Sequence, residues 1–187
     1  MAAGADFPDD ASAVAAALGG REQGYVWLMG RHRASVFRFV RGHVGHDEEA
    51  LDLTQECFVS AFAALKRYDP ARPFRRWLLA IAVNKCRDWG RKRAVRRFFT
   101  FARPLDEASS IADPAFNPEE ALAAEMGVEQ IRAALARLPA SLSGPLLLCS
   151  IEGMSQEEVA EVLGISRKAV ETRIYRARKR LSELLKE

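Results

Sequence analysis

The chain has 187 residues, 49% of them hydrophobic, and a formal net charge of +3, which suits one ordinary globular domain or two small ones. Its three cysteines, Cys57, Cys86 and Cys149, form no Cys-x-x-Cys pair, which argues against a disulfide framework or a thiolate zinc site and favours a reducing cytoplasm. No apolar run approaches membrane-spanning length and the start lacks the features of a signal peptide, so we expect neither membrane insertion nor export.

The first half of the chain predicts three helices after a short N-terminal extension. The alanine-rich start is either frayed or a short helix over Ala11–Leu18, and we assign it no function. Tyr25–Val44 has apolar residues at helical spacing and predicts an amphipathic helix with a basic outer face. Asp47–Leu65 predicts the next helix, because its acidic start suits the positive end of the helix dipole.

Three polar residues of the Asp47–Leu65 helix project away from its apolar stripe. These are Asp52, Gln55 and Glu56. Residues of this kind are usually only solvated, but an acidic surface helix in an otherwise basic region can instead dock onto another protein.

A loop over Lys66–Arg76, marked by prolines, precedes the third helix, Phe74–Arg93. The later part of this helix is basic and carries aromatic residues among its cations. That combination suits single-stranded nucleic acid, because unstacked bases need a flat partner and phosphates need cations. The alternative is that Trp77 and Trp89 belong to the core, and the pattern favours this interpretation for Trp77.

Proline and serine residues over Arg96–Glu120 predict an interdomain linker. A helix over Glu119–Leu138 is predicted to open a second domain. Its apolar positions are Leu122, Met126, Ile131, Leu135 and Leu138. A short apolar helix, Pro145–Glu152, is predicted to follow.

The last stretch, Ser155–Arg180, has the pattern of a helix-turn-helix. Ser155 and Glu158 are spaced as a capping box at the start of one helix, and Ser166 can cap a second. Gly164 between them is the residue that enters the left-handed conformation without a steric penalty. A plain helical hairpin with a solvated charged face is the alternative, but the strongly basic outer face favours a second helix that enters the DNA major groove.

The charge is distributed in blocks along the chain. The range 84–97 has seven basic residues and one acid, and the range 166–187 has eight basic residues and three acids. Between them, the range 105–130 has seven acids and no base. The two basic patches predict two contacts with nucleic acid. The acidic span predicts a stretch that either stays away from nucleic acid or imitates its negative charge.

The sequence offers little support for a metal, a cofactor or an active site. His43 and His46 could share a metal ion, but without nearby thiols surface histidines are the favoured interpretation, and we predict no metal and no cofactor. No paired carboxylates, nucleophile motif or phosphate loop is present, so we predict no catalytic residue and no enzyme activity.

Three segments together resemble the sigma-70 family, in particular its extracytoplasmic-function (ECF) group, which has only regions 2 and 4. Residues 50–58 resemble region 2.2, and residues 74–93 resemble regions 2.3 and 2.4. Residues 138–180 resemble region 4. The resemblance implies an all-α fold of two small helical domains joined by a flexible acidic linker. The implied boundaries are an N-terminal extension 1–23, region 2 over 24–97, a linker 98–120 and region 4 over 121–187.

The resemblance also implies a role for each candidate site. Asp52, Gln55 and Glu56 would face the clamp of the largest subunit of core RNA polymerase, and region 4 would meet the flap of the second-largest subunit. The implied contacts to the melted -10 promoter element come from Tyr68, Phe74, Trp77, Asn84, Arg87, Asp88, Arg91 and Lys92. The implied contacts to the -35 element come from Ser166, Arg167, Lys168, Glu171, Thr172, Arg173 and Arg176. An anti-sigma factor is implied as a further partner.

Two positions depart from the family pattern. Position 171 is usually basic and is Glu171 here, which can accept from a cytosine amino group but cannot hold a phosphate. Pro145 falls in a stretch that the family writes as a continuous helix, so we expect that helix to begin late or to kink.

Two other functions remain open from the residues. A stand-alone helix-turn-helix regulator would explain Ser155–Arg180 but not the pattern of residues 47–93. A protein that mimics a sigma factor in order to sequester an anti-sigma factor should lack competent DNA contacts, and the two basic patches disfavour it.

Overall fold

A computed structural model describes residues 6–99 and 118–186, and every regular element in these ranges is helical. The predicted all-α fold is therefore confirmed for the described part of the chain. Residues 100–117, which make up most of the predicted linker, lie outside it.

The N-terminal domain begins with two helices packed against each other, α1 (Asp10–Leu18) and α2 (Glu22–Val44). The alternative of a short helix at the start is thus the one adopted. Gly24 lets the two helices approach closely, since a Cβ there would lie 2.4 Å from the Ala13 carbonyl oxygen. A hydrogen bond between Asp10 and His32, with 2.9 Å between Oδ1 and Nε2, also joins them.

The domain is completed by α3 (Asp47–Ala63), a 3-10 turn (Leu65–Arg67) and α4 (Phe74–Phe99). Both α2 and α3 pack against α4. Helix α4 starts where the sequence predicted and continues six residues beyond the predicted Arg93. Its first buried residues, Phe74, Leu78 and Leu79, join the core with Phe39 of α2.

The C-terminal domain consists of α5 (Pro118–Ala136), α6 (Ala140–Ser150), α7 (Gln156–Leu163) and α8 (Arg167–Leu184). Of the positions predicted for the apolar face of α5, Leu135 and Leu138 are buried as expected, whereas Ile131 is 45% exposed. Helix α8 packs on both α6 and α7.

The expected late start of the helix around Pro145 is wrong. Helix α6 begins at Ala140, so Pro145 lies inside it. A proline at the sixth helical position removes one backbone donor. Burial outweighs that loss, because Pro145 and the three leucines that follow it are all buried.

The two domains pack against each other. Helices α2 and α4 contact α5, α6 and α7, and buried residues from both domains form one continuous cluster. One tight contact of α2 with α6 is at Gly42, where a Cβ would lie 2.7 Å from a methyl carbon of Leu147.

Candidate nucleic-acid interface

Helices α7 and α8 form the predicted helix-turn-helix, and each predicted cap is present. The Ser155 hydroxyl accepts from the Glu158 N–H at 3.2 Å, and the Glu158 carboxylate accepts from the Ser155 N–H at 2.7 Å. Gly164 has φ 63° and ψ 39°, which is the left-handed turn between the helices. The Ser166 hydroxyl accepts from the Ala169 N–H at 3.2 Å and caps α8.

The inner face of α8 is fixed by burial. Val170, Ile174 and Ala177 are buried, as is Val159 of α7. Because these positions recur at helical spacing, the residues between them point outward. The exposed residues of this outer face include Arg167, Lys168, Glu171 and Arg176, whereas Thr172 and Arg173 are half-buried.

Local contacts already engage several residues of this outer face. Arg167 pairs with Glu157 at 2.9 Å and Lys168 pairs with Glu171 at 3.1 Å. The Thr172 hydroxyl donates to the Lys168 carbonyl at 2.8 Å. Exposed ion pairs of this kind contribute little free energy, so phosphates can replace the carboxylates as partners of both cations.

Helix α3 presents the predicted acidic face to solvent. Asp52, Gln55 and Glu56 are exposed, while Leu53, Thr54 and Cys57 beside them are buried. Val59, 69% exposed, lies on the same face one turn further along.

The three aromatic residues predicted to meet DNA form one cluster at the start of α4. The ring centroid of Phe74 is 5.3 Å from that of Tyr68 and 5.5 Å from that of Trp77. Phe74 is completely buried, Tyr68 is 9% exposed and Trp77 is half-buried. The prediction that Phe74 contacts DNA directly does not fit this position, because its ring fills the core beneath the other two.

The outer face of α4 continues from this cluster. Asn84, Asp88, Arg91 and Lys92 are exposed and Arg87 is half-buried, at spacings that put them on one side of the helix. Asp88 and Arg91 form an ion pair. A groove of about 670 Å³ between α3 and α4 is lined by residues of both faces, among them Glu56 and Asp88, and within it Lys85 lies 3.6 Å from Glu56.

Sequence reasoning missed the ionic contacts between the two domains. Glu152 is buried, and its carboxylate contacts Ser35 and Arg75 of the N-terminal domain. Arg76 contacts Glu158 and Glu161 of α7. No periodicity could have found these pairs, because 77 to 117 residues separate Glu152 from its partners along the chain.

Burial shifts the pKa of two interior groups toward their neutral forms. Burial lowers the pKa of His43 to about 4 and raises the pKa of the Cys57 thiol to about 12. His46 is exposed whereas His43 is buried. Within residues 6–99 and 118–186, no cluster of three or more metal-ligating side chains occurs.

Two family models match the chain, one for each domain. They are Sigma-70 region 2 over residues 28–96 and Sigma-70, region 4 over residues 128–181. None of the helices in the described ranges is both long and apolar enough to span a membrane.

Similar proteins cover nearly the whole chain. The RNA polymerase sigma factor CnrH of Cupriavidus metallidurans is 38% identical, over 95% of this chain and 96% of CnrH. The ECF RNA polymerase sigma factor SigM of Mycobacterium tuberculosis is 32% identical, over 94% of this chain and 84% of SigM. A solved structure of CnrH in complex with the cytosolic domain of CnrY matches with a TM-score of 0.66 and 33% identity, covering 95% of this chain and 97% of that one.

Proposed function

This chain belongs to the ECF group of the sigma-70 family of RNA polymerase sigma factors, and on that premise we propose that it directs transcription initiation at one class of promoter. It binds bacterial core RNA polymerase, recognises the -35 and -10 elements and helps to melt the -10 region. Phosphodiester chemistry belongs to the core enzyme, so the chain has no catalytic activity of its own.

One observation carries the proposal. The chain combines a capped helix-turn-helix, whose outer face is exposed and basic, with an exposed acidic face on α3 in a second domain. A stand-alone DNA-binding regulator needs the first feature but has no use for the second. A promoter-specificity subunit needs both, because it must hold DNA and polymerase at once.

In this function, α8 enters the major groove of the -35 element. The seven residues proposed to meet this element lie at the start and along the outer side of α8. Lys168 and Arg167 are exposed enough to hold phosphates or read guanine, and Glu171 can accept from a cytosine amino group. The hydroxyl groups of Ser166 and Thr172 each make one hydrogen bond within the helix, and each keeps a donor or an acceptor for DNA.

The N-terminal domain binds its two proposed partners through two different helices. Asp52, Gln55 and Glu56 of α3 bind the clamp of the largest polymerase subunit. The face of α4 that carries Asn84 and Asp88 binds the melted -10 strand, with Tyr68 and Trp77 beside it. Extruding a base from the stack costs a few kcal/mol, and contacts with a pocket beside this aromatic cluster offset the cost.

We also propose a protein partner of the anti-sigma kind, which would cover the polymerase-binding and DNA-binding faces. Support comes from the similar sigma factor CnrH, whose structure was solved in complex with the cytosolic domain of CnrY. The compartment we propose is the cytoplasm, because bacterial polymerase works there.

Co-elution with purified core polymerase tests the function. We expect the wild type to co-elute and to support promoter-dependent transcription, and the variant Asp52→Arg/Glu56→Arg to do neither. The control Glu22→Arg/Glu183→Arg makes the same change in net charge at exposed positions with no proposed role, and it should behave as the wild type. Retardation of duplex DNA by the chain alone, without binding to polymerase, would instead identify a stand-alone regulator.

A further inference from the structure

The contact between the two domains contains a cluster of charged side chains, which we call the interdomain ion cluster. Its N-terminal members are Ser35, Arg38, Arg75 and Arg76, and its C-terminal members are Glu152, Glu158 and Glu161. Every cation comes from the N-terminal domain and every carboxylate from the C-terminal domain.

Glu152 is the centre of the cluster. Its carboxylate is completely buried; it accepts from the Ser35 hydroxyl and from Nη2 of Arg75. Arg75 also donates to the Glu152 carbonyl oxygen at 2.9 Å and, through Nε, to the Ser35 hydroxyl at 3.2 Å. Arg38 lies 3.5 Å away on the other carboxylate oxygen. A buried carboxylate needs such partners, so Glu152 favours the packed arrangement of the domains.

This contact is also one that can open. A buried ion pair contributes little net free energy, because both ions lose their hydration when the pair forms. Arg75 and Arg76 keep 40% and 34% of their side-chain surface exposed, so water reaches them already. A competing anion can therefore approach the two guanidinium groups while the domains are still in contact.

The position of the two arginines identifies that anion. Arg75 and Arg76 lie in the first turn of α4, between Phe74 and Trp77, within the segment proposed to meet the melted -10 strand. A guanidinium group binds carboxylates and phosphates with the same planar fork of donors. The carboxylates of the C-terminal domain hence occupy the cations that a nucleic-acid backbone would use.

We propose that Arg75 and Arg76 are phosphate-binding residues for single-stranded promoter DNA, and that Glu152, Glu158 and Glu161 mask them in the free protein. The proposal rests on the function proposed above. Promoter DNA and region 4 carboxylates compete for the same guanidinium groups, so the packed form of the free chain binds single strands weakly.

The test measures binding of a fluorescent 20-nucleotide single strand to the full chain without polymerase, by anisotropy. Glu152→Gln keeps the shape of the side chain but removes its charge, and we expect it to bind the strand roughly tenfold more tightly, as the loss of one charged hydrogen bond predicts. Its radius of gyration in solution scattering should rise above about 16 Å, the value for a compact chain of this length.

Glu157→Gln is the matched control, because it makes the same charge change on an exposed residue of α7 that pairs with Arg167 within its own domain. Equal affinities for Glu152→Gln and Glu157→Gln would overturn the proposal. Adding Arg75→Ala to Glu152→Gln should abolish the gain, and a gain that survives would show that Arg75 does not bind phosphate.

If the Glu152→Gln variant does not fold, as judged by loss of helical circular dichroism, the Ser35→Ala variant is measured in its place. Ser35→Ala removes one hydrogen-bond donor to Glu152 and leaves both arginines intact. It should shift affinity in the same direction by a smaller factor, and no shift relative to Glu157→Gln would contradict the proposal. The binding assay contains no polymerase, so its outcome is independent of the transcription test. Failure of the chain to support transcription would refute the proposed function, whereas the masking of Arg75 and Arg76 is decided by the binding of single strands alone.

Discussion

The substitution Gly24→Ala should destabilise the protein even though it replaces glycine in a helix. Gly24 is buried where α2 meets α1. A Cβ at this position would lie 2.4 Å from the Ala13 carbonyl oxygen and 2.6 Å from the Ala17 nitrogen. Both are backbone atoms of α1, so no side-chain rotation relieves the overlap and the whole helix must move away.

The size of the effect follows from two opposing terms. Alanine in a helix interior gains about 0.5–1 kcal/mol over glycine. Overpacking a tight contact costs about 1–3 kcal/mol. We therefore expect a net loss of about 1–2 kcal/mol, which lowers the melting temperature by roughly 2–8 °C for a chain of this size.

Gly30→Ala provides the control, because Gly30 lies in the same helix and a Cβ there would meet nothing within 4 Å. It should stabilise the protein by about 0.5–1 kcal/mol. Thermal and urea unfolding of both variants, followed by circular dichroism, measures the difference. If Gly24→Ala stabilises the protein as much as Gly30→Ala does, the close packing of α1 on α2 is refuted.

Two further predictions concern pH and capping. Burial lowers the pKa of His43 to about 4, below its ordinary value near 6.5, so the unfolded state takes up the proton first as the pH falls. The free energy of unfolding should therefore fall by up to about 3 kcal/mol between these two pKa values. In urea titrations at several pH values, His43→Gln should lose this dependence on pH, whereas His46→Gln at the exposed neighbouring histidine should keep it. Ser155→Ala removes the acceptor for the Glu158 N–H and should cost about 1 kcal/mol in thermal unfolding, while Ser182→Ala on the exposed side of α8 should change stability by less than about 0.5 kcal/mol.

Local patterns predicted the helix-turn-helix to the residue. Ser155, Gly164 and Ser166 all adopt the predicted capping and turn conformations. Each of these roles depends on groups no more than four residues away, so the sequence alone carries the information. The exposed side of α3 was predictable for the same reason, because helical periodicity decides which residues face the core.

Predictions that depended on packing were less accurate. Pro145 was expected to delay or kink a helix, and the delay is wrong because α6 begins at Ala140, with Pro145 and its neighbours buried inside it. The family resemblance implied that Phe74 meets DNA, yet its side chain is completely buried in the core. Periodicity places a residue on a face, but the neighbouring elements determine whether that face is covered.

The sequence by itself determined the helix-turn-helix, its caps and the two charged faces, because these features depend on residues close together along the chain. Only the tertiary structure decided how the domains meet. Glu152 and Ser35 are 117 residues apart, and nothing near either one predicts that a buried carboxylate will need that hydroxyl and Arg75 as partners. Such contacts arise when helices from distant parts of the chain pack together, which makes them a property of the fold rather than of any local sequence pattern.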